Sequence, residues 1–97
     1  MLILKTVSKG SEMHGFEIAE AIQQSSEDVL QVEEGSLYPA LQRILVKGWA
    51  SAEWGKTKEN RRARYYRLTD SGRKQLEREM QAYARVADAI ARILQPA

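Results

Sequence analysis

The stretch GSLYPALQRILVKGW, residues 35–49, decides how the chain is organised. Ser36 is a good helix N-cap, Pro39 falls in the first turn, where its missing N–H costs nothing, and Gly48 ends the helix. At 100° per residue the aliphatic side chains form one stripe, which comprises Leu37, Leu41, Ile44 and Leu45. The stretch therefore predicts a helix over residues 36–48 that packs on a core with one face and leaves a polar face free.

The preceding segment predicts two further helices and a short strand. Residues 2–8 are typical of a helix that ends at Gly10, in the position of a C′ glycine. Residues 14–24 place their apolar side chains mostly on one side, namely Phe16, Ile18, Ala19 and Ile22, as in an amphipathic helix. Residues 30–32 favour one short extended segment before the turn at EEG.

The segment after Gly48 predicts a β-hairpin with a basic tip. Residues 49–54 and 64–69 alternate well enough to be two strands, joined by the nine residues GKTKENRRA. Nine residues are long for a tight turn, so they are expected to form a protruding, basic loop. Alternation places one of Tyr65 and Tyr66 in the core, and Trp49 and Trp54 are expected to pack at the base of the hairpin.

The charge of the chain is concentrated in this hairpin. The whole sequence carries only +2, but residues 55–67 carry +5 while residues 1–54 carry −4. A local basic block of this kind is what a polyanion would bind. A solvated, charged hairpin without a ligand is the alternative.

The C-terminal segment predicts one long helix that begins at a Thr69 or Asp70 cap. Its apolar residues recur at spacings of four and three, as in a coiled-coil seam: Leu76, Met80, Tyr83, Ala87, Ile90 and Leu94. A helix of about 25 residues is roughly 37 Å long, too long for a small domain to cover. The seam therefore predicts a homodimer.

Several classes of function lack the residues that they need. The chain has no cysteine and a single histidine, His14, so no metal site, cofactor site or disulfide framework is expected. His14 itself is interpreted as a helix-start residue that packs on aromatic neighbours. No phosphate-binding glycine loop and no acid, base or nucleophile constellation is present, which argues against an enzyme. No membrane span or secretory signal is evident, so a cytoplasmic protein is expected.

The order of the elements is that of a winged helix-turn-helix with a long C-terminal dimerisation helix, a mainly α fold with a small β-wing. Residues 1–69 would form the DNA-binding domain and residues 70–97 the dimerisation helix. In such folds the free face of the third helix enters the major groove of DNA. The predicted DNA-binding residues lie on that helix and on the basic wing, residues 55–64: Ser36, Tyr38, Pro39, Gln42, Arg43, Lys56, Lys58, Arg61, Arg62 and Arg64.

Three segments of the sequence also resemble the PadR family of bacterial transcriptional regulators. They are HGFEIAEAI (residues 14–22), GSLYPALQRILVKGWASAEW (35–54) and RRARYYRLTDSGRKQL (61–76). The resemblance extends from residue 2 to about residue 80. It implies a homodimeric repressor that binds an inverted-repeat operator in double-stranded DNA, with the residues at Ser36, Tyr38 and Pro39 near the DNA.

The resemblance also leaves two questions open. Some small PadR regulators hold flat aromatic drugs between Trp residues of their last helices, which suggests a small aromatic or hydrophobic effector. This chain has no Trp after Trp54, which argues against that role. A winged-helix module that binds another protein is the alternative function, because a fold alone does not fix function.

Overall fold

The computed structural model describes residues 1–10 and 12–96. In chain order the elements are helix α1 (Leu2–Lys9), strand β1 (Met13–His14), α2 (Gly15–Ser25), α3 (Glu34–Val46), β2 (Ala50–Lys56), β3 (Arg62–Leu68) and α4 (Asp70–Leu94). The strands form one antiparallel sheet in the order β1-β3-β2. The predicted fold class, mainly α with a small β-wing and a long last helix, is confirmed.

Every main element contributes to one apolar core. The buried residues are Leu4 and Val7 of α1, Ile18 and Ile22 of α2, Leu37 and Leu41 of α3, Ala50 of β2, Tyr66 and Leu68 of β3, and Leu76 of α4. Their spacing within the helices is three or four residues, which places each pair on one face. The core therefore holds α3 and the base of the hairpin in a fixed relation, since both bury side chains in it.

Helix α3 begins earlier than residues 36–48, the predicted range. The backbone N–H groups of Ser36 and Leu37 both donate to the carbonyl of Glu33, at 3.0 Å, so Glu33 is the N-cap and Ser36 already lies in the first turn. The prediction that Ser36 caps the helix was wrong, as was the placement of Pro39 in the first turn. Pro39 is the sixth helical residue, where a missing N–H removes one helical hydrogen bond. Gly48, with φ of +75°, follows the helix end as predicted.

The third strand does not lie where the sequence predicts it. Residues 30–32 are not a strand; the strand is β1, in which Met13 pairs with Tyr66 and His14 with Tyr65. A strand of two residues is too short to show alternation in a sequence. The segment after α2 instead turns sharply, because Glu27 and Asp28 both have positive φ, of 52° and 65°.

The end of α1 also departs from its prediction. The helix stops at Lys9 as expected, but Gly10 has φ of −109° and ψ of 167°, which is extended backbone rather than a left-handed C′ residue. The chain leaves α1 in the direction of β1 without the left-handed turn of a C′ glycine. Phe16 was predicted on the apolar side of α2, yet its side chain is 65% exposed.

The wing, defined here as Ala50–Leu68, is a longer hairpin with a shorter turn than predicted. Its ladder runs without a break from the Ala50–Leu68 pair to the Lys56–Arg62 pair, so residues 57–61 alone form the turn. The Thr57 N–H donates to the Arg61 carbonyl at 2.8 Å, and the Arg61 N–H donates to Oγ1 of Thr57 at 3.2 Å. Lys56 and Arg62, predicted in the loop, are therefore strand residues, and Arg64 lies in a strand as predicted. These charged residues hid the alternation by which a strand is predicted, because this part of the hairpin extends beyond the core and buries no side chains in it.

Helix α4 is tied to the base of the wing at its first turn. Oγ1 of Thr69 accepts a hydrogen bond from the Gly72 N–H at 3.0 Å and donates one to the Gly48 carbonyl at 2.7 Å. Only Gly72 and Leu76 of α4 are buried. The remaining turns extend away from the core and give the molecule its longest dimension, 58 Å. None of the helices in the described residues is long and apolar enough to cross a membrane.

Candidate nucleic-acid interface

A groove opens between the start of α2, the exposed face of α3 and the wing. Its volume is about 1000 Å³. Seven of the predicted DNA-binding residues line it: Tyr38, Gln42, Lys56, Lys58, Arg61, Arg62 and Arg64. The fold thus brings the predicted residues of α3 and those of the wing to one surface.

The other three predicted residues lie outside this groove. Ser36, Pro39 and Arg43 are exposed on α3. They are spaced by three and four residues, so they form a second row beside the row of Tyr38 and Gln42. The exposed face of α3 is therefore wide enough to present two parallel rows of side chains to a ligand.

Tyr38 is held at the junction of α2 and α3. Its side chain is 48% exposed, so the ring is not sealed inside the protein. The ring lies against Gly15, the first residue of α2: a Cβ atom at Gly15 would stand 2.9 Å from Cε1 and 3.1 Å from the hydroxyl oxygen of Tyr38. The glycine leaves the space that the ring occupies, and the ring still borders the groove.

The start of α2 is fixed by a reciprocal capping box. Nδ1 of His14 accepts a hydrogen bond from the Glu17 N–H at 3.4 Å, and Oε1 of Glu17 accepts one from the His14 N–H at 3.1 Å. The imidazole also packs edge-on against Tyr65, with ring centroids 5.4 Å apart, and is stacked 6.4 Å from Phe16. The interpretation of His14 as a helix-start residue with aromatic neighbours is confirmed.

The groove-lining cations of the wing are free of carboxylate partners. Within residues 1–10 and 12–96, none of them has a carboxylate oxygen within 4.0 Å; Arg67, elsewhere on β3, pairs with Glu12 at 3.7 Å. Lys56, Lys58, Arg61 and Arg62 are exposed, while Arg64 is half-buried. The groove is also lined by Glu17, Glu20 and Glu59, so its lining holds five cationic and three acidic side chains. The net charge of the lining is positive, which favours a polyanion.

Two large side chains of the groove were not predicted to be there. Phe16 and Trp54 both line it, and Trp54 is 59% exposed. The prediction that Trp54 packs at the base of the wing was wrong, whereas Trp49 does pack against the core. The sequence could have placed Trp54 in the groove, because it is two residues from Lys56 in the strand next to the basic tip and so lies on the same face as Lys56.

Tyr66 lies at the inner end of the groove, where the wing meets the core. It is the buried member of the tyrosine pair, as the alternation of the strand predicts. Burial raises the pKa of its phenol above the ordinary value of 10.0, although the nearby charge of Arg64 acts in the opposite direction. Tyr66 is therefore a neutral, buried residue of β3, two positions from Arg64 on the same strand.

A second candidate surface runs along α4 beyond the core. Of the six predicted dimerisation residues, Leu76 is buried within its own chain. Met80, Tyr83, Ile90 and Leu94 are exposed, and Ala87 is half-buried. Val86 and Ile93, which the seam pattern missed, are exposed beside them. The apolar face of α4 is therefore wider than a single coiled-coil seam and begins at Met80.

No metal centre is found in the part of the chain that the structure describes, since no group of three or more His, Cys, Asp or Glu side chains there could hold an ion.

The sequence model of the PadR-like family of transcriptional regulators matches residues 3–78. The chain belongs to this family. PadR-like regulators bind DNA and are typically dimeric, so family membership implies a DNA-binding transcriptional regulator.

Solved PadR structures share this fold over nearly their whole length. A PadR-like regulator from Bacillus cereus is 27% identical with a TM-score of 0.81, covering 98% of this chain and 89% of its own. A PadR family regulator from Clostridium difficile is 26% identical with a TM-score of 0.80, and the match covers 97% of this chain and 95% of that chain. An uncharacterised Lysinibacillus sphaericus protein is 27% identical over 89 residues, which are 92% of this chain and 81% of that protein.

Proposed function

We propose that this chain is a homodimeric, cytoplasmic repressor that binds an inverted-repeat operator in duplex DNA. The observation that carries the proposal is the groove, in which the exposed row of α3 and five unpaired cations of the wing border one space. A recognition helix reads base edges in the major groove, and flanking cations bind phosphates. The two kinds of contact need to come from one surface, and the proposal is supported by the fact that Tyr38 and Gln42 of α3 line the same groove as the wing cations.

The role of each element follows from its side chains. Gln42 offers an amide that can make a bidentate contact with adenine, and Arg43 offers the donors that match guanine. Tyr38, Ser36 and Pro39 lie nearer the start of α3, where they can contact the sugar–phosphate backbone. Lys56, Lys58, Arg61, Arg62 and Arg64 bind phosphates beside the site that α3 reads, and so they contribute affinity rather than selectivity.

The exposed face of α4 supports the dimer. Apolar side chains on the protruding turns lose contact with water only if another helix covers them, and a second copy of α4 has the matching face. A two-fold dimer presents two copies of α3, which is why the operator is expected to be an inverted repeat.

The test is binding to the promoter of the gene itself and to a random duplex of equal length, measured by fluorescence anisotropy over a series of salt concentrations. We expect tighter binding to one promoter segment, with log affinity falling by about 0.9 per phosphate contact for each unit of log salt. Sedimentation equilibrium on the same samples should give a dimer. Equal affinity for promoter and random duplex would contradict the proposal.

A further inference from the structure

Trp54 has no role in the core, and its position in the wing calls for another explanation. In the ladder it stands directly opposite Arg64, and the next pair outward on the same face is Lys56 with Arg62. This face of the sheet is continuous with the core, because the pair inward of Trp54 is Ala52 with buried Tyr66. One face of the hairpin thus passes from the core to a tryptophan and then to the cations of the groove.

Both arginines contact the ring of Trp54. Cζ of Arg62 lies 4.5 Å from the centroid of the indole ring and Cζ of Arg64 lies 5.6 Å from it. Both distances are within the range in which the ring quadrupole attracts a cation, and tryptophan is the strongest partner for this interaction. One exposed side chain therefore contacts two of the five groove-lining cations of the wing.

A tryptophan orients an arginine in a way that a carboxylate does not. A carboxylate would neutralise the guanidinium and occupy its N–H donors in a bidentate pair. An aromatic ring restricts the side chain but leaves the net charge in place. Consistent with this, Nε of Arg64 is buried and finds no hydrogen-bond partner among the described residues, and neither arginine has an acidic partner within 4.0 Å.

We propose that Trp54 is a positioning residue for DNA binding, which holds the guanidinium groups of Arg62 and Arg64 toward the groove as donors for DNA phosphates. This inference rests on the proposed function, since it assigns how the wing engages the DNA backbone. Free arginine side chains lose rotamer freedom when they bind, and prior ordering reduces that cost. Trp54 contributes affinity through the two arginines and does not itself contact DNA.

The test replaces the ring while keeping an apolar side chain. Trp54→Leu removes the aromatic face, and Trp54→Phe retains a weaker one as the matched control. We expect Trp54→Leu to weaken operator binding about tenfold and Trp54→Phe to recover most of that loss, since ordering each side chain accounts for a few-fold to tenfold. Both variants should unfold at nearly the wild-type temperature, because Trp54 is largely outside the core.

A double-mutant cycle separates positioning from direct contact. In a protein that carries Arg62→Gln and Arg64→Gln, the further change Trp54→Leu should have no effect on operator affinity, because the groups that Trp54 orders are gone. Trp54→Leu alone should also reduce the slope of log affinity against log salt, as fewer phosphates are neutralised. Neither result is expected from a residue that only supports the fold.

Three outcomes overturn the inference. Equal losses in Trp54→Leu and Trp54→Phe would remove the role of the ring, and a full effect of Trp54→Leu in the arginine-less background would show that Trp54 contacts DNA itself. If the wild-type chain binds the operator selectively and either result is found, the inference fails while the proposed function stands. If the wild-type chain does not distinguish its promoter from random duplex, both fail together.

Discussion

The ring of Tyr38 lies directly on the backbone of Gly15, so the first residue of α2 determines where an exposed tyrosine of α3 stands. A Cβ at Gly15 would approach the ring to 2.9 Å, closer than van der Waals contact allows. Because the atoms approached belong to the far end of a side chain, the ring can move away without unfolding the protein.

Gly15→Ala should therefore weaken operator binding while costing little stability. We expect the loss of affinity to approach that of Tyr38→Ala, with a change in the free energy of unfolding of about 1 kcal/mol or less. Gly35→Ala is the matched control, because a Cβ at Gly35 meets nothing within 4 Å. Anisotropy and urea titrations measure the two quantities. Unchanged affinity in Gly15→Ala would mean that the position of Tyr38 does not matter for DNA.

The wing and α3 should differ in what they contribute to recognition. Lys58→Ala should weaken binding to the operator and to random duplex by a similar factor and lower the salt slope by about 1. Gln42→Ala should weaken operator binding more than random binding, because an amide that reads a base edge is worth about 1–3 kcal/mol of discrimination. Affinities of both variants for both duplexes provide the measurement. A selectivity loss in Lys58→Ala would reverse the assignment.

The two ends of the apolar series on α4 should behave differently. Leu76 is buried within its own chain, so Leu76→Ala should lower the free energy of unfolding by about 2–5 kcal/mol. Ile90 is exposed, so Ile90→Asp should leave each chain folded and shift the sedimentation equilibrium toward monomer. Arg85→Gln, on the polar face of the same helix, should remain dimeric. If Ile90→Asp remains a dimer, the exposed face of α4 is not the interface.

The contact between α4 and the base of the wing should not tolerate a side chain. A Cβ at Gly72 would overlap the carbonyl oxygen of Trp49 and stand 2.8 Å from Cδ1 of Leu68. The carbonyl belongs to the backbone and cannot rotate away, so Gly72→Ala should cost about 3 kcal/mol of stability, near the upper limit for overpacking. Ser71→Ala, at the exposed neighbouring position, should change stability by about 0.5 kcal/mol or less. If Gly72→Ala and Ser71→Ala unfold at the same urea concentration, the close packing at Gly72 is contradicted.

Tyr66 should make stability depend on alkaline pH. Its pKa is higher in the folded chain than the ordinary value of 10.0, because burial disfavours the phenolate. The contribution of the neutral phenol to stability is therefore complete below pH 10 and is lost as the pH rises through the raised pKa. Tyr66→Phe should match the wild type near pH 7 and lose less stability above pH 10. The measurement is the urea midpoint of both proteins across that pH range, together with the phenolate absorbance of the four tyrosines. If the wild type and Tyr66→Phe lose stability equally above pH 10, the prediction is wrong.

The sequence predicts α3 well because its apolar stripe is regular, but it does not predict where the helix starts. Ser36 has the chemistry of a cap, yet the backbone carbonyl of Glu33 accepts the first helical bonds and the helix begins two residues before Ser36. Pro39 was predicted in the first turn on the basis of the same helix start, so its position was wrong for the same reason. Helix ends depend on a few hydrogen bonds, and those are settled by the path of the preceding turn rather than by composition.

The cations of the candidate site and Tyr38 were predicted from the sequence, whereas Phe16 and Trp54 were missed. A run of lysines and arginines is visible in a sequence, and five of them do border the groove. Trp54 was predicted at the base of the wing and Phe16 on the apolar side of α2, because large apolar side chains are usually buried. Their exposure follows from where β2 and α2 bring them, which depends on pairs distant in sequence, such as His14 with Tyr65 and Trp54 with Arg64. An aromatic or hydrophobic effector stays a prediction.

Only Thr69 separates the last wing strand from α4, and its hydroxyl makes hydrogen bonds to Gly72 of α4 and to Gly48, which precedes the first wing strand. This short, hydrogen-bonded connection couples the direction of α4 to that of the wing. In the proposed dimer, the crossing angle of the two α4 helices would therefore set the distance between the two wings and hence the spacing of the DNA segments that the wings reach.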